Sequence, residues 1–337
     1  MTSLFAPGKV FLAGEYAVLT PGWPALVLAV DRGLHAELDP LEGDGECAVE
    51  LWHRPSGVVL LGELCSPAGI AWLGEVPDEL RFAAAAAQLG ARLCVEDGLL
   101  PRGFSLTFLD DLAAPTPQGP LKLGLGGSAC ASVLAVRGAC AAQGRTLAPR
   151  ETLALADAAH WAEQGGAGSG GDVAASALGG ALMVRGSAAW TSPKAALAQP
   201  ARALLSADRV TATPFALPED ARFLLAWSGA PADTRVLVRE VGAFAAARPA
   251  RFAELVEAIA FCAESLQAAL SADARKTALV AVRRAAVAMA ALGEEAGCPI
   301  VTPRLARICA VATAAGCAAK PSGAGGGDCA IVLCFGE

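Results

Sequence analysis

The sequence contains few histidines and few charged residues for its length. Only three histidines, His35, His53 and His160, occur among 337 residues, which excludes a histidine-rich metal site. Charged residues make up 18% of the chain, the formal net charge is -7, and no basic stripe occurs. These features argue against a nucleic-acid or membrane-surface partner, since both bind clustered lysine and arginine. An acidic enzyme can still bind anionic substrates through local cations and backbone N–H groups.

The eleven cysteines include no CxxC pair, and their number is odd. A disulfide framework and a zinc site of paired cysteines are therefore not indicated. We expect free cysteines in a reducing cytoplasm, where disulfides are rare. The first residues lack the basic start and apolar stretch of a secretory signal peptide, and no unbroken apolar run is long enough to span a membrane. The sequence leaves the oligomeric state open between a monomer and a homodimer.

Apolar residues make up 54% of the sequence, and many of them are alanines, as in residues 83–87. Alanine favours helices but buries little area, so we predict many closely packed helices. The length is suited to two hydrophobic cores. The proline-rich segment between about 187 and 220 is typical of a domain boundary. We therefore predict two domains, at residues 1–190 and 191–337.

The spacing of apolar residues predicts both strands and helices, without the regular βαβ order of a doubly wound sheet. The predicted strands lie at residues 26–30, 103–108, 181–184, 223–227 and 329–334, and the predicted helices at 80–95, 128–142 and 150–164, with four more between about 233 and 316. This mixture indicates an α+β fold.

The strongest local motif is the glycine-rich segment Gly124-Leu125-Gly126-Gly127-Ser128-Ala129-Cys130, which precedes a predicted helix. Glycine lets a backbone approach a ligand closely, and a helix start offers unpaired N–H groups with a partial positive charge. Together they form a pocket suited to phosphates, to which Ser128 adds a hydroxyl for a phosphate or Mg²⁺. The segment lacks the lysine of a P-loop and the acidic residue of a dinucleotide site. A tight loop before a packed helix is the alternative.

Two further glycine-rich segments occur, at residues 165–172 and 320–328. So many glycines are entropically costly unless the backbone needs unusual angles. In the segment at residues 165–172, the second of the three, Asp172 is either the N-cap of a helix or a group that projects into a phosphoryl-transfer site. In the third, at residues 320–328, Lys320 is a point charge beside an anion-binding backbone, or the segment is a hairpin connection. Three such segments in one acidic chain favour phosphate chemistry.

Three motifs of this sequence resemble those of the GHMP kinases. Residues 6–18 are similar to the family's N-terminal motif, residues 124–130 to its ATP-binding motif and residues 320–329 to its third, glycine-rich motif. They occur in the family's order and near its spacing. The resemblance implies a two-domain GHMP kinase fold, with an N-terminal ATP-binding domain like ribosomal protein S5 domain 2 and a ferredoxin-like C-terminal domain. ATP and substrate would meet in the cleft between them.

Several segments are more similar to the branch of this family that phosphorylates 5-phosphomevalonate than to the mevalonate kinases. One of them is Gly14-Glu15-Tyr16, because mevalonate kinases usually have histidine in place of the tyrosine. The others are His160 with Gln164 and Gly165, residues 168–175, residues 227–234 and residues 320–329. Two residues depart from the pattern: Gly127 replaces the first serine of a serine pair, and Asp233 replaces a small hydroxyl residue. The resemblance implies transfer of the ATP γ-phosphoryl to 5-phosphomevalonate. A mevalonate kinase, another small-molecule kinase of the family and an inactive ligand-sensing homologue are the alternatives.

The resemblance also implies roles for individual residues. Lys9, Ser128 and Asp172 are expected to be catalytic, with Lys9 bridging the transferred group and the acceptor and Asp172 pairing with Lys9. The residues expected to hold ATP are Gly124, Leu125, Gly126, Gly127, Ser128 and Ala129. Ser128 and Glu163 would hold Mg²⁺, although Glu163 is also typical of a solvated helix end, and we expect His160 to be structural. The residues expected around the substrate are Lys9, Glu15, Tyr16, Ser169, Gly170, Lys320, Ser322, Gly323 and Gly325.

Overall fold

The computed structural model describes residues 1–41, 47–65, 67–110, 112–114, 121–187 and 190–336. Its strands are β1 Thr2–Ala13, β2 Pro24–Pro40, β3 Ala48–His53, β4 Val58–Cys65, β5 Gly69–Trp72, β6 Phe104–Phe108, β7 Ala113–Ala114, β8 Leu121–Lys122, β9 Ala181–Gly186, β10 Val210–Pro214, β11 Ala221–Trp227, β12 Ala318–Pro321 and β13 Cys329–Phe335. Its helices are α1 Arg81–Glu96, α2 Gly127–Ala142, α3 Pro149–Glu163, α4 Gly171–Leu178, α5 Pro193–Leu197, α6 Ala201–Leu204, α7 Thr234–Ala247, α8 Pro249–Ser271, α9 Arg275–Ala296 and α10 Pro303–Ala314. A short 3₁₀ helix, Ala17–Leu19, follows β1.

The N-terminal domain is built on a large, mainly antiparallel sheet. Its strands run in the order β10-β9-β2-β6-β3-β4-β5, and β1 pairs with the long β2. In the second half of β2, Leu34, Ala36 and Leu38 are buried, whereas His35 between them is exposed. This period of two places one face of the strand against the core and the other towards solvent.

The alanine-rich helices of the N-terminal domain pack closely, as the composition predicted. Four of the five alanines at residues 83–87 of α1 are buried. Gly90 of the same helix faces α2, where an added Cβ would lie 3.0 Å from the carbonyl oxygen of Val136. Because these small residues bury little area, larger side chains of β6, including the fully buried Phe104 and Phe108, fill the core.

The C-terminal domain combines a three-stranded antiparallel sheet with helices α7 to α10. The strand order is β11-β13-β12. Ile331 and Leu333 of β13 join the main core with residues of α9, whereas Val332 between them packs with Ala312 of α10. Alternate side chains of the central strand therefore bury against different helices, as the side-chain period of a strand requires. The two domains together form the expected α+β, two-domain fold.

The first sheet extends beyond the domain boundary predicted at residue 190. β10 pairs with β9 over its whole length, so the N-terminal sheet includes residues up to Pro214. The segment predicted as irregular also contains α5 and α6. Two of its prolines lie at helix starts: Pro200 is the N-cap of α6, and Pro193 follows the N-cap Ser192, whose hydroxyl accepts a hydrogen bond from the Ala195 N–H. We place the boundary at residues 215–220 instead.

Most of the predicted elements are confirmed, with boundaries shifted by a few residues. The predicted strand at residues 26–30 lies in the first half of the 17-residue β2. The sequence did not predict β3, β4 and β5, or helix α4, which begins inside a glycine-rich segment. Within the described part of the chain, no helix has the length and apolar character needed to cross a membrane.

Candidate active site

A cleft of about 1170 Å³ lies between the two domains. The N-terminal domain contributes residues of the N-terminal motif and of the second glycine-rich segment, and the C-terminal domain contributes the start of α7 and the tip of the β12–β13 loop. The charged side chains that line the cleft are those of Arg81, Arg209, Arg235, Arg239, Glu15, Glu163 and Asp172. Four cations in an acidic protein form a local surplus of positive charge, which suits an anionic ligand.

The segment at residues 124–129 has the geometry of a phosphate loop. Helix α2 begins at Gly127, and Gly126 adopts the left-handed conformation, with φ 85°. Gly126 has no side chain to cap the first N–H groups of the helix, and these carry the positive end of its dipole. An added Cβ at Gly126 would lie 3.2 Å from the side chain of Lys9. The helix start is therefore open to an anion, with a lysine beside it.

Lys9 lies directly against this phosphate loop. Its backbone N–H donates to the Leu125 carbonyl at 2.8 Å, and its Nζ donates to the Gly124 carbonyl at 3.0 Å. Within the described residues, no ion pair of 4.0 Å or less joins Lys9 to Asp172. The predicted Lys9–Asp172 pair is thus not formed in this arrangement, because the ammonium group is engaged by the loop instead.

Ser128 and Asp172 are brought together by His160. The Ser128 hydroxyl lies 3.0 Å from His160 Nε2, and Asp172 Oδ2 lies 3.9 Å from the same nitrogen. Asp172 occupies the first turn of α4, where its Oδ1 accepts from the Val173 N–H at 3.0 Å. None of residues 124–129 lines the large cleft, so this trio links the phosphate loop to the cleft at Asp172.

The second glycine-rich segment is held by a buried arginine that the sequence did not indicate. Arg209 makes a two-pronged ion pair with the buried Asp157 of α3 and donates to the Gly168 carbonyl at 3.2 Å. Its guanidinium group lies 5.7 Å from the ring of Trp161 and 5.8 Å from that of Trp190. Because Arg209 and Asp157 are 52 residues apart, no local pattern could have predicted their pairing.

Lys320 in the third glycine-rich segment does not offer a charge to a ligand. It is completely buried and forms an ion pair with Glu15, whose side chain is 3% exposed. The same Glu15 oxygen accepts from the Gly323 N–H at 3.2 Å. In this arrangement the cation holds the N-terminal motif against the third loop, and the role of Lys320 as a substrate-binding point charge stays a prediction.

Two more side-chain contacts join the N-terminal motif, residues 6–18, to the third glycine-rich segment. The Tyr16 hydroxyl donates to the Ala324 carbonyl at 2.6 Å, and burial raises the pKa of this phenol well above its usual range. The Ser322 hydroxyl bonds to both the N–H and the carbonyl of Phe11, each at 3.1 Å. We refer to these contacts and the Lys320–Glu15 pair together as the motif clasp.

The predicted substrate residues separate into two groups. Glu15, Tyr16, Ser169 and Gly323 line the cleft. Lys9 lies at the phosphate loop, and Gly170, Lys320, Ser322 and Gly325 do not line the cleft. Gly325 packs elsewhere: an added Cβ there would lie 2.3 Å from the Ile300 carbonyl oxygen.

Glu163, the other predicted Mg²⁺ ligand, lines the cleft beside Arg81. Their side chains are 3.7 Å apart, and burial raises the pKa of Glu163 although Arg81 opposes the shift. Among the described residues no cluster of three or more histidine, cysteine or acidic side chains could hold a metal by itself. Mg²⁺ commonly takes one or two carboxylates together with substrate phosphate oxygens, and the assignment of Ser128 and Glu163 to this ion stays a prediction.

Comparison with known proteins identifies the family. The family model described as the GHMP kinases N terminal domain matches residues 82–180, and that described as the GHMP kinases C terminal matches residues 270–337. A relative from Streptomyces sp. (strain CL190), named phosphomevalonate kinase, is 32% identical over 97% of this chain and 88% of its own length. The chain belongs to the GHMP kinase family.

Two solved structures have the same fold as this chain. A Lin0012 protein from Listeria innocua is 24% identical, with a TM-score of 0.83 over 99% of this chain and 90% of its own. The Streptococcus pneumoniae phosphomevalonate kinase in complex with phosphomevalonate and AMPPNP is 22% identical, with a TM-score of 0.82 over 100% of this chain and 93% of its own. At these identities the likeness establishes the fold.

Proposed function

We propose that the protein transfers the γ-phosphoryl group of ATP to the phosphate of 5-phosphomevalonate, which yields 5-diphosphomevalonate and ADP. The proposal rests on one observation above all. The phosphate loop lies against Lys9, and its Ser128 contacts the same His160 nitrogen as Asp172 of the second glycine-rich segment, next to a cleft lined by four arginines. The named relative supports the choice of acceptor, because it is similar over nearly the whole chain.

The ATP phosphates would bind at residues 124–129. The open N–H groups of α2 and the Lys9 ammonium group supply positive charge there. An ATP analogue in the related pneumococcal complex supports the use of ATP. Ser128 and Glu163 would hold Mg²⁺, which neutralises phosphate charge when it is bound. Chelation of Mg²⁺ should abolish turnover, and its restoration should recover it.

Lys9 and Asp172 would have different roles in phosphoryl transfer. This reaction depends mainly on positioning and charge neutralisation. A phosphate monoester has its second pKa near 6, so the acceptor is largely a dianion at pH 7 and needs no strong base. We therefore assign Lys9 to bridge the transferred group and the acceptor, and Asp172 to orient groups around it.

The acceptor would occupy the cleft. 5-Phosphomevalonate carries a carboxylate and a phosphate, and arginines recognise both groups well because their planar donors can bind two oxygens at once. Arg81 of the N-terminal domain and Arg235 and Arg239 of α7 line the cleft, whereas the guanidinium group of Arg209 is already paired with Asp157. An uncharged acceptor would gain nothing from this arrangement.

An acceptor screen tests the proposal directly. The purified protein is given Mg-ATP with 5-phosphomevalonate or mevalonate, and ADP release is followed in a coupled assay. We expect faster turnover of 5-phosphomevalonate, with a new diphosphate signal in the phosphorus NMR spectrum. Faster turnover of mevalonate would overturn the choice of acceptor. Binding of Mg-ATP without transfer to these or any other candidate acceptor would indicate an inactive homologue.

A further inference from the structure

His160 is buried at the junction of the phosphate loop and the second glycine-rich segment. Its side chain is 2% exposed, and its Nε2 lies within 3.9 Å of both the Ser128 hydroxyl and the Asp172 carboxylate. These are two of the three groups to which we assign the chemistry. A buried ring that touches both can control how they are oriented.

The ring itself is firmly held. The aromatic ring of Phe82 lies 4.9 Å from it between centroids. The Gln164 amide lies 3.5 Å from Nε2 and can turn either its oxygen or its nitrogen towards the ring. The residue is part of α3, whose Asp157 is anchored to Arg209. The imidazole is therefore packed in one orientation between the phosphate loop and α4.

The charge of Asp172 indicates which ring nitrogen carries the proton. An ionised carboxylate can only accept, whereas a serine hydroxyl can donate or accept. A carboxylate oxygen 3.9 Å from Nε2 therefore favours a proton on that nitrogen. Nε2–H then donates to the Ser128 oxygen at 3.0 Å. The hydrogen of the Ser128 hydroxyl is left to point away from the ring and to donate to a phosphate oxygen.

We propose that His160 is a positioning residue, which sets the direction of the Ser128 hydroxyl and holds Asp172 close to it. This inference rests on the function proposed above, and it replaces the purely structural role that the sequence suggested. His160 touches no substrate atom itself and acts through Ser128 and Asp172. Its loss should therefore lower kcat more than it changes the KM for ATP.

Two polar replacements of similar size test the proposal. His160→Gln can place an N–H near the position of Nε2, whereas His160→Asn reaches only the position of Nδ1. We expect Asn to lower kcat by roughly 10-fold to 100-fold, as for the loss of one oriented donor. We expect the kcat of the His160→Gln variant to stay within about 5-fold of that of the unaltered protein. The KM for ATP should change by less than about 3-fold in both variants.

Combination with Ser128→Ala tests whether His160 acts through the serine. In that background, His160→Asn should lower kcat by a smaller factor than it does in the unaltered protein, because only its contact with Asp172 is left to lose. Equal losses in both backgrounds, or equal activities of the Gln and Asn variants, would overturn the inference. Thermal unfolding of each variant reports whether it is folded. Thr152→Val, which removes a buried hydroxyl bond from the same helix, serves as the control for a purely structural change.

The proposed function and this inference can fail separately. Turnover of 5-phosphomevalonate by the unaltered protein is measured first, and its absence would overturn the choice of acceptor only. The variants are then compared with whichever acceptor the protein phosphorylates. Complete absence of phosphoryl transfer to any acceptor would overturn both.

Discussion

The phosphate loop and the β12–β13 loop are both rich in glycine, but they use it differently. In the phosphate loop, the left-handed Gly126 leaves a helix start open beside Lys9. In the β12–β13 loop, Gly325 is pressed against the Ile300 carbonyl, and the motif clasp holds the rest of the loop to β1. The phosphate loop leaves a helix start open, whereas the β12–β13 loop buries Gly325 against protein and lines the cleft only at its tip, Gly323 and Ala324. Glycine content alone therefore does not distinguish a binding loop from a packed one.

The largest effect on activity should follow from Lys9→Met. Removal of the cation beside the phosphate loop should lower kcat on the order of 10³-fold, with folding retained. Asp172→Asn should lose less, roughly 10-fold to 100-fold, because an orienting group is replaced by one of the same shape. Both are measured by steady-state ADP release.

The matched control is Lys276→Met, at an exposed lysine of α9. Its kcat should stay within about 2-fold of that of the unaltered protein. If Asp172→Asn abolished turnover while Lys9→Met barely changed it, the two roles would have to be exchanged.

Among changes to the motif clasp, removal of the buried cation of Lys320 should lower the stability of the protein most. Lys320→Met leaves the Glu15 carboxylate buried without its partner, so the free energy of unfolding in urea should fall by about 3 kcal/mol. The double variant Lys320→Met with Glu15→Gln removes both charges and should recover part of this loss. A small loss of stability accompanied by a large rise in the KM for the acceptor would restore Lys320 to a substrate-binding role.

A pair of glycine substitutions tests the difference between the two loops. Gly325→Ala should lower the free energy of unfolding by roughly 2 kcal/mol, since its Cβ would lie 2.3 Å from the Ile300 carbonyl oxygen. Gly126→Ala should cost only about 1 kcal/mol of backbone strain, but it should reduce kcat/KM for ATP by more than Gly325→Ala does. The opposite pattern of stability and activity would contradict our comparison.

The smallest effect is expected for Tyr16→Phe, which removes one hydrogen bond of the clasp. The free energy of unfolding should fall by about 1 kcal/mol, because the Ala324 carbonyl loses its donor. Since burial raises the pKa of the phenol, its stabilising contribution is fully present below the ordinary phenol pKa of about 10 and is lost above it. The difference between the two proteins should therefore be constant from pH 6 to 9, and a marked change within that range would argue against a protonated donor.

Local sequence patterns predicted the elements around the site well. Helix α2 was expected at residues 128–142 and spans Gly127–Ala142, because a glycine-rich start followed by small helix-forming residues is a purely local signal. The short strands β3 to β5 were not predicted, because such strands are specified by their pairing with neighbours more than by their own residues. Proline misled the prediction at α5, where it begins a helix and was taken to mark an irregular segment.

The candidate site was predicted in part. The positions of Lys9, Ser128 and Asp172 were recognised from motifs that the family shares. Arg209 was missed, because an arginine in a proline-rich stretch gives no sign that its partner Asp157 lies 52 residues earlier. The burial of Lys320 was not predicted, since the sequence contains no signal that Glu15, 305 residues away, would neutralise it in the interior.

The sequence by itself determined the α+β class, the glycine-rich segments, most of the helices and the family. Each of these depends on residues that are near one another in the chain. Only the tertiary structure decided which charges became buried pairs, that the β12–β13 loop is packed while the phosphate loop is open, and that His160 lies between Ser128 and Asp172. The physical reason is that burial and pairing depend on contacts between distant segments, and these exist only once both domains have folded around the cleft.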